Sequence, residues 1–146
     1  MSRRLQVLVV TPNVRAGRGT RASLRAAGYD VSMRTTFSGG VHGLRRDPDL
    51  VIADVRLGAF NGLHLAMRAI WNGIPAIVMG FEDGVLRREA AAMGAAYLAG
   101  RVDTRALLAM VESLASMTLP RVGRAEWTPA SALQVSAEPL ERRVVH

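Results

Sequence analysis

Five short apolar runs, each followed by a stretch whose apolar residues recur at helical spacing, leave this chain few folds to choose from. The pairs are Leu5–Val10 with a helical segment to Ala27, Val31–Thr35 with Gly40–Arg46, Leu50–Val55 with Asn61–Trp71, Ala76–Met79 with Asp83–Met93, and Tyr97–Ala99 with Thr104–Met117. A strand that leads through a helix into the next strand returns as a parallel neighbour. Five such pairs therefore spell (βα)5, an α/β chain with a doubly wound, parallel five-stranded sheet. The first, third and fourth runs are almost uninterrupted apolar sequence, as strands covered on both faces are. The chain has 146 residues, 49% of them hydrophobic, which suits one core rather than two.

The helical stretches differ in quality. Asp103 before Thr104 is a plausible N-cap for the last one, with Leu107, Leu108, Val111 and Leu114 as its inward face. Gly17 and Gly19 each weaken a helix interior by roughly 1 kcal/mol relative to alanine, which predicts a first helix that starts late, near Thr20. Arg15, Arg18, Arg21 and Arg25 would line one side of that helix if it ran through Arg15. Such a stripe is ordinarily a solvated face; the functional reading is a docking stripe. After Met117 the pattern fails, because Leu119-Pro120-Arg121-Val122-Gly123-Arg124 and Trp127-Thr128-Pro129 break any helix. The expected plan is one domain over residues 1–117 and a C-terminal tail over 118–146, flexible or docked, with Trp127 or the Leu133/Val135 segment available for a groove.

Composition removes several chemistries. Cysteine is absent, so there is no disulfide framework, thiolate metal site or thiol nucleophile. All nineteen basic residues are arginine, which excludes any mechanism that needs a lysine, and the net charge is +7. Net charge constrains function loosely, and a solvated basic surface is its ordinary meaning. Arg3 and Arg4 precede an apolar stretch, Val7–Val10, that is too short for a signal-peptide core, and no span approaches membrane length; a cytoplasmic location is expected. His42 and His64 fall in helical stretches without a matched nucleophile and acid, His146 lies in the tail, and no metal-ligand cluster is present. The expectation is a protein that is not an enzyme.

The chemistry concentrates in Pro48-Asp49-Leu50-Val51-Ile52-Ala53-Asp54-Val55-Arg56-Leu57-Gly58-Ala59-Phe60-Asn61-Gly62-Leu63. An apolar strand there ends on an acid, and a glycine-containing loop follows. In a buried parallel sheet Asp54 would stand at the carboxyl edge, where open α/β sheets bind ligands; the plainer reading is a strand-end acid paired with a base or capping a loop.

Residues 5–117 resemble the receiver domain of bacterial response regulators. The resemblance rests on Pro48 to Leu57 together with Asn61-Gly62-Leu63, Pro75-Ala76-Ile77-Val78-Met79 and Met93-Gly94-Ala95. It implies a flavodoxin-like sheet with strands in the order 2-1-3-4-5. It also implies that Asp54 occupies the position of the phosphoacceptor, which takes a phosphoryl group from a phosphohistidine. A carboxylate attacking phosphorus needs its charge neutralised, which Mg²⁺ supplies when neighbouring carboxylates hold it. At the two acidic metal positions this chain has Thr11 and Pro12, so metal affinity should fall sharply; the remaining candidates are Asp54, Asn13 and the Arg56 backbone carbonyl. The family's phosphoryl-binding hydroxyl falls at Gly80, its lysine at Arg101 and its switch aromatic at Leu98, with Tyr97 one residue away. Arg101 is expected to reach Asp54 in a charge-assisted, bidentate pair in place of the metal.

The resemblance thus implies an atypical, single-domain pseudo-receiver in two-component phosphorelay signalling, working as a protein-interaction module. Its partners would be a histidine kinase, a phosphotransfer protein or an output protein, and a homodimer stays open. Contacts would involve the first helix and the loops around Asp54, or the face of the fourth helix, fifth strand and fifth helix. An acidic docking surface would suit the arginine stripe. The alternative is a flavodoxin-like binder of a small ligand or nucleotide, resting on Thr11-Pro12-Asn13 and Gly17-Arg18-Gly19-Thr20 after the first strand. Nucleic-acid binding through arginines ranks last, because only 5% of residues are aromatic and acids interleave with the arginines.

Overall fold

The computed structural model describes residues 4–100 and 103–117. Its elements run β1 Gln6–Val10, α1 Val14–Ala26, β2 Asp30–Arg34, α2 Phe37–Leu44, β3 Leu50–Asp54, β4 Arg56–Leu57, β5 Phe60–Asn61, α3 Gly62–Trp71, β6 Ala76–Gly80, α4 Gly84–Met93, β7 Ala96–Ala99 and α5 Thr104–Ser116. The five longer strands form one parallel sheet in the order β2-β1-β3-β6-β7. Counted by apolar runs, this is the order 2-1-3-4-5. Residues 118–146, read from sequence as a tail, lie outside the described residues.

The strands alternate between two cores. Leu8 and Val10 of β1, with Val51 and Ala53 of β3, face Leu63, Leu65 and Ala66 of α3 and Ala90 of α4. Val7 and Val9, with Leu50 and Ile52, face Leu24 of α1 and Leu107 and Val111 of α5. Helices therefore cover both faces, α2, α3 and α4 on one and α1 and α5 on the other. Each large aliphatic side chain buried this way contributes about 1.5–3 kcal/mol against staying exposed.

Each of the five helices among the described residues has a side chain at its N-cap. Asn13, Thr36, Asn61, Asp83 and Asp103 each accept a backbone N–H from the first turn, at 2.8–3.2 Å. These caps explain two departures from the sequence reading. Helix α1 starts at Val14, not near Thr20, because Asn13 Oδ1 accepts from Ala16 N–H at 3.0 Å and because Gly17 is where the helix rests on the sheet. A Cβ at Gly17 would run into the Met33 side chain and lie 2.9 Å from Thr11 Cγ2. Helix α2 starts at Phe37 rather than Gly40, behind Thr36. Its Gly40 and Gly43 face inward, where a Cβ would come within 2.7 Å of the Leu65 and Leu8 side chains. The segment read as a loop after Asp54 contains a small antiparallel hairpin, Arg56 opposite Asn61 and Leu57 opposite Phe60. Its two-residue turn puts Gly58 at φ 64°, a left-handed position that glycine adopts without a Cβ penalty.

Candidate functional site at the carboxyl edge of the sheet

Strand β3 is pinned at both ends. At its start the Asp49 carboxylate, 1% exposed, accepts the Gln6 N–H at 2.8 Å, while the Asp49 N–H donates to Gln6 O at 2.8 Å. At its end the chain turns back so closely that a Cβ on Gly62 would collide with the Asp54 carbonyl, and Gly62 N–H donates to Val55 O at 2.7 Å. Between these anchors Leu50 to Ala53 are buried and Asp54 emerges half-buried. These anchors fix where the strand-end acid sits.

Strand β1 supplies the acid's partner. Thr11 follows β1 and is 3% exposed; its hydroxyl donates to Asp54 Oδ2 at 2.6 Å and accepts the Asn13 N–H at 3.1 Å. The 2.6 Å separation is that of a charge-assisted O–H···O⁻ bond. Burial pushes the Asp54 carboxyl up from its ordinary range, and the Thr11 hydrogen bond pulls in the opposite direction with the smaller effect. Asp54 joins no ion pair among the described residues. It opens into a cavity of 480 Å³ whose wall includes Thr11, Thr20, Arg56, Phe81, Gly100 and Thr104.

A divalent cation does not fit this donor set. Pro12 has no side-chain ligand, the Thr11 hydroxyl is already held by Asp54, and Asn13 Oδ1 is occupied as the α1 cap. Among the described residues no group of three or more His, Cys, Asp or Glu side chains is placed to hold a metal ion. One carboxylate with a neutral hydroxyl leaves most of a Mg²⁺ ion's charge and coordination unmet.

The far wall of the cavity is shaped by a missing side chain. A Cβ on Gly80 would lie 2.6 Å from both Tyr97 Oη and Val55 Cγ1. Tyr97 occupies that space, 8% exposed, with its hydroxyl donating to Phe81 O at 2.7 Å and the Arg87 guanidinium 5.6 Å above its ring. Leu98, one residue on, points to the other face of the sheet and packs against the α1 and α5 core. Of the two residues considered for the aromatic position, Tyr97 is thus the one beside Gly80. Arg101, the candidate partner of Asp54, lies outside the described residues; Gly100 and Thr104 on either side of it line the cavity. His42 and His64 are exposed on α2 and α3 and do not line this cavity. The glycine-rich loop weighed as a phosphate cradle is part of α1, and Gly17 there serves close packing.

Sequence reasoning missed Thr11 as the hydroxyl that holds Asp54, since it weighed the residue as a poor metal ligand and as part of a loop that could cradle phosphate. It also missed an exposed aromatic pair, Phe60 and Phe81, at 56% and 45% exposure. Phe60 closes the hairpin that has no sequence periodicity to announce it.

The chain matches no protein-family model and no curated protein. Its fold is similar to solved structures of response-regulator receivers. A receiver domain protein from Methanospirillum hungatei has 22% identity and a TM-score of 0.73, over 79% of this chain and 96% of that one. A response regulator receiver protein from Burkholderia phymatum has 27% identity and a TM-score of 0.69, over 77% and 96%. The HemR receiver domain from Leptospira biflexa has 23% identity and a TM-score of 0.72, over 80% and 98%. With its five-stranded parallel sheet in the order 2-1-3-4-5 and helices on both faces, the chain has the CheY-like fold of response-regulator receiver domains.

Proposed function

We propose that this chain is an atypical receiver module of phosphorelay signalling, which works by binding a protein partner and not as an enzyme. Asp54 stands at the phosphoacceptor position, and its environment favours a fixed conformation over phosphoryl chemistry. The observation that carries this reading is the Thr11 to Asp54 hydrogen bond at 2.6 Å, found where Mg²⁺-binding acids would otherwise be needed. Phosphoryl transfer to a carboxylate requires that its charge and the phosphoryl oxygens be neutralised together, and a hydroxyl supplies no positive charge. Arg101 is carried in this proposal as the cation that faces Asp54 in place of a metal, supported by the position of Gly100 and Thr104 on the cavity wall. The partner is a histidine kinase, a phosphotransfer protein or an output protein.

The test is intact-protein mass after incubation with acetyl phosphate and Mg²⁺, beside Asp54→Ala and Arg101→Ala. The expected result is no gain in the parent protein while its folded state is confirmed by circular dichroism. A gain of one phosphoryl group that disappears in Asp54→Ala would overturn phosphorylation-independent action. An Arg101→Ala variant with unchanged stability and unchanged titration of Asp54 would remove Arg101 from the site.

A further inference from the structure

Next to the Asp54 cavity lies a second one of 360 Å³, between the β4–β5 hairpin and the start of α4. Its wall is mainly apolar, made by Val55, Ala59, Phe60, Phe81, Val85 and Leu86, with Arg56, Asn61 and Asp83 as its polar members. Three of these are large side chains left open to solvent: Phe60 at 56%, Phe81 at 45% and Val85 at 56% exposure. Exposed apolar residues scattered singly need no explanation, but three on one cleft do.

Positive side chains outnumber negative ones around the cleft. At one end the Arg56 guanidinium lies 5.1 Å over the Phe81 ring. At the other, Phe60 stacks on Phe37 with centroids 4.7 Å apart, and Arg68 sits 5.9 Å over Phe37. Arg88 reaches back toward Gly84 at the head of α4. Arg56, Arg68 and Arg88 join no ion pair among the described residues. The nearby acids are engaged: Asp83 accepts the Val85 and Leu86 N–H groups, and Glu82 meets Arg87 at 2.9 Å. What the cleft offers is an open, largely apolar slot flanked by arginines outside any ion pair among the described residues.

We infer that this cleft binds an acidic, apolar-anchored segment of a protein partner, which inserts a leucine-like or aromatic side chain between Phe60 and Phe81 and sets carboxylates against Arg56, Arg68 and Arg88. Buried apolar anchors with a charged rim are how small interfaces reach useful affinity. A nucleic acid fits less well: Phe60 already stacks on Phe37 and Phe81 already carries a guanidinium, so each ring has one face taken and the two do not form an open platform for successive bases. Asp54 itself does not line the cleft, although Val55, Arg56 and Phe81 border both cavities, and the proposed binding does not require that Asp54 be phosphorylated.

The experiment uses the full chain and a short helix-forming peptide with two leucines one turn apart flanked by glutamates, with copies carrying glutamine for glutamate or alanine for leucine. Backbone amide NMR should place the perturbations at Ala59 to Asn61 and Phe81 to Leu86. Val85→Glu should weaken binding by about tenfold or more without lowering the unfolding midpoint, since Val85 is exposed, and Arg56→Gln should weaken it and flatten its salt dependence. Equal binding of the glutamine copy, or perturbations centred elsewhere, would overturn the inference. So would tighter binding of oligothymidine at the same residues, or a concentration-dependent rise in mass that Val85→Glu abolishes, which would make the occupant a second copy. Peptide binding that emerges only once residues 118–146 are cut away would assign the cleft to the chain's own tail, and would equally overturn it. Repeating the titration in Asp54→Ala separates this surface from the phosphoacceptor reading, because the cleft should bind unchanged.

Discussion

At the scale of single residues, Asp54 was legible in the sequence and its partner was not. An acid that ends an apolar strand in an α/β pattern has one place to go, the carboxyl edge of the sheet. Thr11 is 43 residues away, and only the pairing of β1 with β3, which sets Val10 opposite Ala53, brings the two together. Two predictions belong to this pair. Replacing Thr11 with valine keeps the shape, removes the donor and leaves a half-buried carboxylate less well held. Hydrogen bonds to charged groups contribute about 1.5–3 kcal/mol, so Thr11→Val should lower stability by that order in urea unfolding and push the Asp54 carboxyl further up in an NMR titration. Asp54→Asn tests the burial itself. Because the folded-state pKa of Asp54 is raised, the folded protein holds the proton more tightly than the unfolded chain, and ionisation above that pKa disfavours folding. Asparagine keeps an acceptor for Thr11 without the charge. Burial alone makes Asp54→Asn more stable than the parent at neutral pH, with an advantage that shrinks as the pH falls through the raised pKa toward the ordinary carboxylate range. The proposed Arg101 pair acts with the opposite sign, so the measured sign says which of the two dominates. Urea midpoints of both proteins across that range check it; an advantage that grew on acidification would mean that the charged form is the stabilised one.

At the scale of elements, existence and order were readable and boundaries were not, for reasons that can be named. The apolar runs announced the five long strands because strands covered on both faces must be apolar throughout. The start of α1 was misjudged because glycine was priced only for its helix propensity, while Asn13 at the cap and the close packing at Gly17 decide the matter in space. The β4–β5 hairpin went unread because two residues per strand carry no period. Glycine offers a paired test of this distinction. Gly19 in α1 is exposed, and a Cβ there meets nothing within 4 Å, so Gly19→Ala should stabilise by about 1 kcal/mol through helix propensity alone. Gly43 in α2 has the same propensity to gain, but its Cβ would lie 2.7 Å from Leu8 Cδ1, a residue with no exposure at the centre of the core. Overpacking of that kind costs about 1–3 kcal/mol, which exceeds the gain, and Gly43→Ala should be net destabilising in the same denaturation assay. Alanine stabilising at both positions would show that α2 is free to move off the sheet.

At the scale of the whole molecule, charge acts differently from packing. The net charge of +7 did not point to a function, yet it bears directly on stability, because like charges on one compact body repel. The ion pairs that could offset this are slight. Arg4 to Asp30 at 3.8 Å and Arg87 to Glu82 at 2.9 Å join exposed side chains, and such pairs contribute about 0–1 kcal/mol. Meanwhile Arg15, Arg18 and Arg25 stand exposed along α1 with no acid against them among the described residues. Salt screens attraction and repulsion alike, but it reaches the long-range repulsion first: the Debye length falls from about 30 Å at 0.01 M to about 8 Å at 0.15 M, shorter than the width of a domain of this size. The urea midpoint should therefore rise as sodium chloride is added over that range. Arg18→Glu lowers the net charge by two units and places an acid three residues from both Arg15 and Arg21 on α1, a spacing at which opposite charges attract. That variant should be the more stable protein at low salt and should respond less to added salt. A midpoint that fell with salt in the parent would mean that its few ion pairs outweigh the repulsion, and the arginine stripe would then need an acidic neighbour to explain it.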